Sequence, residues 1–139
     1  MNPGALKHLR YARTIHAEID KLRGIGLHGL AGREAYLVAF HAAQAYVIAK
    51  TGNSPKTHAG LHAEFTRLAA LSGDLSPEFA SHLSRSYILK SAHDYMRGET
   101  LTPEQIAERA GRSEAFMLRV AECLGVDIAA LPPLEGNTL

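Results

Sequence analysis

The chain has 139 residues, 46% of them hydrophobic and 21% charged, with a net charge of +1. A chain of this length folds as one domain and buries roughly two thirds of its unfolded surface, so its core needs no disulfide or metal staple. The composition excludes disorder, collagen-like sequence and polar low complexity, and the small net charge makes no whole-chain case for nucleic acid. Lys and Arg outnumber acids by seven to three over residues 1–50, match them five to five over 51–100, and fall to three against six over 101–139. Such a gradient is ordinary for solvated helix faces, with a cationic surface near the first helices as the alternative. The lone Cys123 excludes an internal disulfide. The start, Met-Asn-Pro-Gly-Ala-Leu-Lys-His, has no signal-peptide core, and the longest apolar run, Ala35 to Ala49, is interrupted by His41 and Gln44. These features predict a soluble, cytoplasmic protein with no membrane partner.

Helix signals dominate. Leu6, Leu9, Ala12, Ile15, Ile19 and Leu22 recur at steps of three and four, predicting an amphipathic helix over about 4–22. Gly24, Gly26, Gly29 and Gly32 then predict a flexible connection. The next helix, about 33–50, is apolar almost all round and belongs in the middle of a bundle. Thr51-Gly52-Asn53-Ser54-Pro55 ends it. A shorter helix over about 58–71 carries Leu61, Phe65 and Leu68, with Gly73 beyond its end. Ser76-Pro77-Glu78 opens a fourth helix that runs to about Arg97 and closes at Gly98. Thr102-Pro103-Glu104-Gln105 opens a fifth with a capping box, and Gly125 ends it. The prediction is an all-α, up-and-down bundle of four to five helices over residues 1–126, followed by a loose tail over 127–139.

Three places carry candidate chemistry. On the fourth helix Ser86, Lys90, His93 and Arg97 form a polar stripe at steps of four, three and four, with Asp94 beside it. A solvated face with a Lys90–Asp94 pair accounts for it. So does an anion or phosphate site, in which two fixed cations flank an imidazole that titrates near neutrality. His58 and His62, four apart on a helix, can hold one metal, but no third ligand stands out, so no metal is assigned. On the second helix Arg33, Leu37, His41 and Gln44 share a face, a polar notch that needs partners inside the chain or on a second subunit. Tyr36, His41 and Gln44 are expected at such an interface. Phosphate-binding glycine loops, nucleophile elbows and Cys-x-x-Cys pairs are missing.

The order of several stretches resembles the HEPN domain superfamily over about residues 30–125. Arg33-Glu-Ala-Tyr36-Leu-Val-Ala-Phe40-His41-Ala-Ala-Gln-Ala45 is similar to the superfamily's second helix, and Thr57-His58-Ala-Gly60-Leu-His-Ala-Glu-Phe65 to its threonine-histidine-x-glycine start. Lys90-Ser-Ala-His93-Asp94-Tyr95 is placed like the segment that ends in Asp-Tyr, and Thr102-Pro103-Glu104 with Ala115-Phe116 like the closing helix. The resemblance implies a helical bundle that often dimerises. It also implies, in many members, metal-independent endoribonuclease activity within toxin–antitoxin or defence systems, beside a nucleotidyltransferase partner.

The family's usual catalytic pattern is an arginine, four to six residues, then a histidine. Here Lys90 stands three residues before His93, and Arg85 eight before it. Lysine keeps the charge and loses the planar fork that holds a phosphate bidentately. By resemblance the reaction is 2′-hydroxyl attack on the adjacent phosphate. His93 acts as acid or base, and Lys90, with Arg85 or Arg97, stabilises phosphate charge. Asp94, Ser86, Tyr95, His41 and His58 are neighbouring candidates, no cofactor is called for, and a homodimer pairing two His93 residues supplies the second imidazole. The alternative is a non-catalytic HEPN domain that binds a nucleotide or a nucleotidyltransferase-type or antitoxin partner. A further alternative takes Thr102 to Ser113 and Glu114 to Leu124 as a DNA-binding helix-turn-helix, against which stand its four acids to three arginines.

Overall fold

The computed structural model describes residues 2–95 and 101–132, with the side chains of residues 92–95 outside that description. The described residues form α1 (Pro3–Gly24), α2 (His28–Thr51), α3 (His58–Ser72), α4 (Pro77–Tyr95), α5 (Pro103–Cys123) and a 3-10 turn at Ile128–Ala130, with no strand among them. The expected end of the fourth helix at Arg97 and Gly98 lies outside the described residues.

The helix that is apolar all round is the central one: α2 packs against each of the other four. Its Ala31, Ala35, Ala39, Ala42, Ala43 and Ala45 are all fully buried, and side chains that small let neighbouring backbones approach on several sides. The aromatic anchors Tyr36, Tyr46, Phe65 and Phe116 fill the gaps between helices. Phe65 stacks on Phe116 at 5.3 Å and so ties α3 to α5.

α2 begins at His28, earlier than the glycines predict, and the connection from α1 is a short turn in which Gly26 takes φ 80°. Packing overrides the weak helix propensity of Gly32. A Cβ there would meet Leu101 Cδ1 at 3.3 Å, so the missing side chain lets the entry to α5 lie against α2. The predicted capping box holds: Gln105 N–H donates to Thr102 Oγ1 at 3.1 Å, and Thr102 N–H donates to Gln105 Oε1 at 2.9 Å.

α5 is one unbroken helix, which overturns the helix-turn-helix alternative. The residues that would read bases, Phe116, Met117 and Val120, are buried in the core, because the strong apolar arc of α5 packs on α2. The tail is not loose at its beginning. Ile128 is buried, and Arg10 Nε donates to the Pro132 carbonyl at 2.9 Å, fastening the segment to α1. No helix among the described residues is long and apolar enough to cross a membrane.

Candidate functional site

The most chemically loaded place lies where α3 starts against α2 and α4. Thr57 caps α3 by accepting the Gly60 N–H at 3.0 Å. A Cβ on Gly60 would stand 2.9 Å from Thr57 Oγ1 and 3.1 Å from Pro55 Cβ, so glycine is what lets the preceding turn fold onto the first turn of the helix. This gives the Thr57-His58-x-Gly60 pattern a physical meaning: it fixes where His58 leaves the backbone. His62 follows one helical turn later on the same side.

Both imidazoles converge on one phenol. Tyr36 Oη lies 2.6 Å from His58 Nδ1 and 3.2 Å from His62 Nε2. Tyr36 is fully buried, whereas both histidines are half-buried at the surface. Among the described residues no hydrogen bond is made by their far nitrogens, His58 Nε2 and His62 Nδ1. The His58 ring stacks on Tyr87 at 5.0 Å and 23° and packs against Phe40 at 4.7 Å. Burial, and then the Lys90 ammonium, lower the His58 pKa. Burial, and then His58, lower that of His62. Both rings are therefore neutral at pH 7, while burial raises the Tyr36 phenol and keeps it protonated.

The predicted residues divide around this cluster. Lys90 is half-buried on the same side of α4 as Leu83 and Tyr87, close enough to His58 for its charge to be felt. The side chains of His93, Asp94 and Tyr95, in the last turn of α4, and all of Arg97 lie outside the described residues. Ser86 does not join a solvated stripe. It is buried, 3.4 Å from His82 Nε2, in a polar knot where His82 Nε2 donates to Ser113 Oγ at 2.8 Å and Ser113 donates to the Ala35 carbonyl at 2.6 Å. Arg85 lies on the exposed face of α4, lining a shallow groove with Thr66, Ser81 and Ser84 rather than facing the cluster.

His41 faces α1. Its Nδ1 sits 3.0 Å from His8 Nδ1 and the two rings stack at 5.2 Å. Burial, with the neighbouring His8, pushes its pKa down to about 4. Tyr36, expected at an interface, is likewise used up inside the chain. Sequence reasoning missed Tyr36 as the hub and Tyr87 as the wall. The available signal was positional: Leu83, Tyr87 and Lys90, at steps of four and three, share one face of α4 opposite the His58–His62 pair.

The fold is thus a helical bundle, with five α-helices among the described residues, in which Tyr36, His58, His62 and Tyr87 come together beside the central helix. The HEPN domain family model matches residues 5–123, most of the chain, and the protein belongs to that family. No curated protein matches it significantly.

Proposed function

We propose that the protein is an RNA-cleaving HEPN domain, working without a metal ion through attack of the 2′-hydroxyl on the adjacent phosphate. Lys90 stabilises the charge that develops on the phosphate oxygens, and His93, one turn further along α4, carries a proton transfer. The observation that supports this best is the position of Lys90. It brings a cation close to a cluster of half-buried imidazoles that are neutral at pH 7. A homodimer, a restraining partner of antitoxin or nucleotidyltransferase type, and a cytoplasmic setting complete the reading.

The test is cleavage of a folded tRNA and a single-stranded RNA by purified protein with EDTA present. The parent is expected to cut, and His93→Ala and Lys90→Ala to lose about 10²–10⁴-fold of the rate. A parent that cuts neither RNA at enzyme excess would support the non-catalytic, partner- or nucleotide-binding reading. One feature favours that second reading: lysine, three residues before His93, where the family has arginine.

A further inference from the structure

Between the outer faces of α3 and α4 runs a shallow groove of about 360 Å³, lined by Thr66 of α3 and by Ala80, Ser81, Ser84 and Arg85 of α4. Ser81, Ser84 and Arg85 stand at i, i+3 and i+4, so they share one exposed face of the helix. Resting on the RNA-cleaving reading above, we propose that this groove is a second binding site for the RNA strand. In it Arg85 and the two serine hydroxyls hold a phosphate other than the one that is cut.

The donors in the groove are uncommitted. Elsewhere in the bundle, helical hydroxyls donate back to a carbonyl one turn earlier: Thr51 to Val47 at 2.8 Å, Thr66 to His62 at 2.7 Å and Ser72 to Leu68 at 2.9 Å. Among the described residues Ser81 and Ser84 make no hydrogen bond, and Arg85 makes neither a hydrogen bond nor an ion pair. Arg67, Arg112 and Arg119, by contrast, each hold a glutamate three or four residues away on their own helix. A phosphodiester presents two anionic oxygens, which match the planar guanidinium fork, and hydroxyls beside the fork can donate to the same oxygens.

Charge and position select a nucleic-acid strand. α4 carries no acid from Phe79 to His93, and the single acid of α3, Glu64, is spent on Arg67 Nε at 3.2 Å. No carboxylate lines the groove among the described residues. Its two walls also lead to the Tyr36 cluster. Thr66 follows His62 by one turn on α3, Ser84 precedes Tyr87 by three residues on α4, and the His62 and Tyr87 rings meet edge-on at 5.4 Å. A strand with its scissile phosphate near Lys90 can therefore pass His62 and Tyr87 and lay a further phosphate on Arg85. Ile88, 64% exposed and one turn beyond Ser84, offers a base an apolar surface beside that phosphate.

The experiment measures binding of a fluorescein-labelled octamer of 2′-O-methyluridine, which 2′-hydroxyl attack cannot cut, by anisotropy between 50 and 200 mM salt. Parent, Arg85→Ala, Arg85→Lys, Arg85→Glu and Lys21→Glu are compared after thermal unfolding has confirmed that each is folded. Lys21 is exposed at the end of α1, which packs on α2 and α5, so Lys21→Glu makes the same charge change on another side of the bundle. Arg85→Ala is expected to weaken binding at least about tenfold and to lower the slope of log Kd against log salt by about 0.7, the loss of one phosphate contact on a single strand. Arg85→Lys should keep the slope and lose part of the affinity, because the charge stays and the fork goes. Lys21→Glu should stay within twofold of the parent. Equal weakening by Arg85→Glu and Lys21→Glu, or no binding by the parent at 50 mM salt, overturns the proposal. So does an octamer of glutamate that binds more tightly than the RNA octamer and depends on Arg85, since the groove would then take an acidic protein. In each of these cases the RNA-cleaving reading is still decided by the cleavage assay on the parent and Lys90→Ala. If the parent cuts nothing while the Arg85 pattern holds, that reading falls and the groove stands as an RNA-binding site.

Discussion

Two tyrosines on α2, Tyr36 and Tyr46, are both fully buried, and both have their phenol pKa raised by that burial. Their surroundings differ. Tyr46 donates to Asp74 Oδ1 at 2.7 Å and lies 2.5 Å from Ser72 Oγ. Lys50 stands 3.5 Å from the other Asp74 oxygen, and Arg119 holds the Asp74 carbonyl at 2.8 Å. Every partner there lies within the chain. Burial, supplemented by the Asp74 carboxylate and opposed by Ser72, lifts Tyr46 to about 12, and the knot ties the end of α2 to the turn between α3 and α4. Tyr36 instead joins two half-buried imidazoles. The residue, the helix and the burial are the same; what separates the two is that Tyr46 meets a hydroxyl and a carboxylate, and Tyr36 two imidazoles.

The closed polar clusters should therefore answer to stability and the open one to catalysis. The largest effect expected is on acid stability, through two closed histidines. His41 faces His8 and Tyr11 on α1, with Lys7 near His8 and Gln44 on its own helix. His82 faces Arg109, Arg112 and Ser113 on α5 and Ser86 on its own helix. Burial, then neighbouring positive or titratable groups, pushes each down to about 4. Between pH 6.5 and 4 the unfolded chain binds protons that the folded chain refuses, so stability is full above 6.5 and falls as the pH drops toward 4. The two rings together contribute on the order of 6 kcal/mol to that fall. Urea unfolding across this range measures it. The double variant His8→Leu/His41→Leu is expected to flatten the slope, and His58→Gln to flatten it less; equal flattening would break the comparison.

Next in size is Tyr46→Phe. It removes a donor from a carboxylate whose pKa is held down against burial by Ser72, Tyr46 and Lys50, and should cost about 1–3 kcal/mol in denaturant unfolding while leaving RNA cleavage within twofold. Tyr36→Phe is expected to show the converse, less than about 1 kcal/mol of stability, because water can satisfy the ring nitrogens it frees. Similar stability losses in the two variants would erase the distinction.

Much of the fold was legible because its determinants are local. The apolar steps of α1, the all-round apolar α2 and the Thr102–Gln105 box each declare themselves within a few residues. The start of α2 did not, since Gly29 and Gly32 read as breakers and only the approach of Leu101 and Ile106 shows why Gly32 sits in a helix. Ser86 misled for a related reason. A serine four residues before Lys90 looks like the start of a solvated stripe, but Ser86 meets His82, which bonds Ser113 inside the core. The site was half legible. The spacing of His58 and His62 announces a pair; nothing short of tertiary structure reveals that what lies between them is a phenol from a helix ending before α3 begins.

The smallest effect expected probes that pairing from the backbone side. Thr57→Ala removes the side-chain acceptor for Gly60 N–H and should cost about 1 kcal/mol of stability. The first turn of α3 would then fray more often, and His58, its first residue, would leave Tyr36 for part of the time, while His62, a full turn deeper, would stay. Cleavage should fall two- to threefold, and hydrogen exchange should quicken at Gly60 and Leu61 but not in the rest of α3. Thr57→Ser, which keeps the hydroxyl, should restore both. If Thr57→Ala frays the turn and leaves cleavage unchanged, the fixed position of His58 is no part of the chemistry, and the open cluster would be a strut like the closed one.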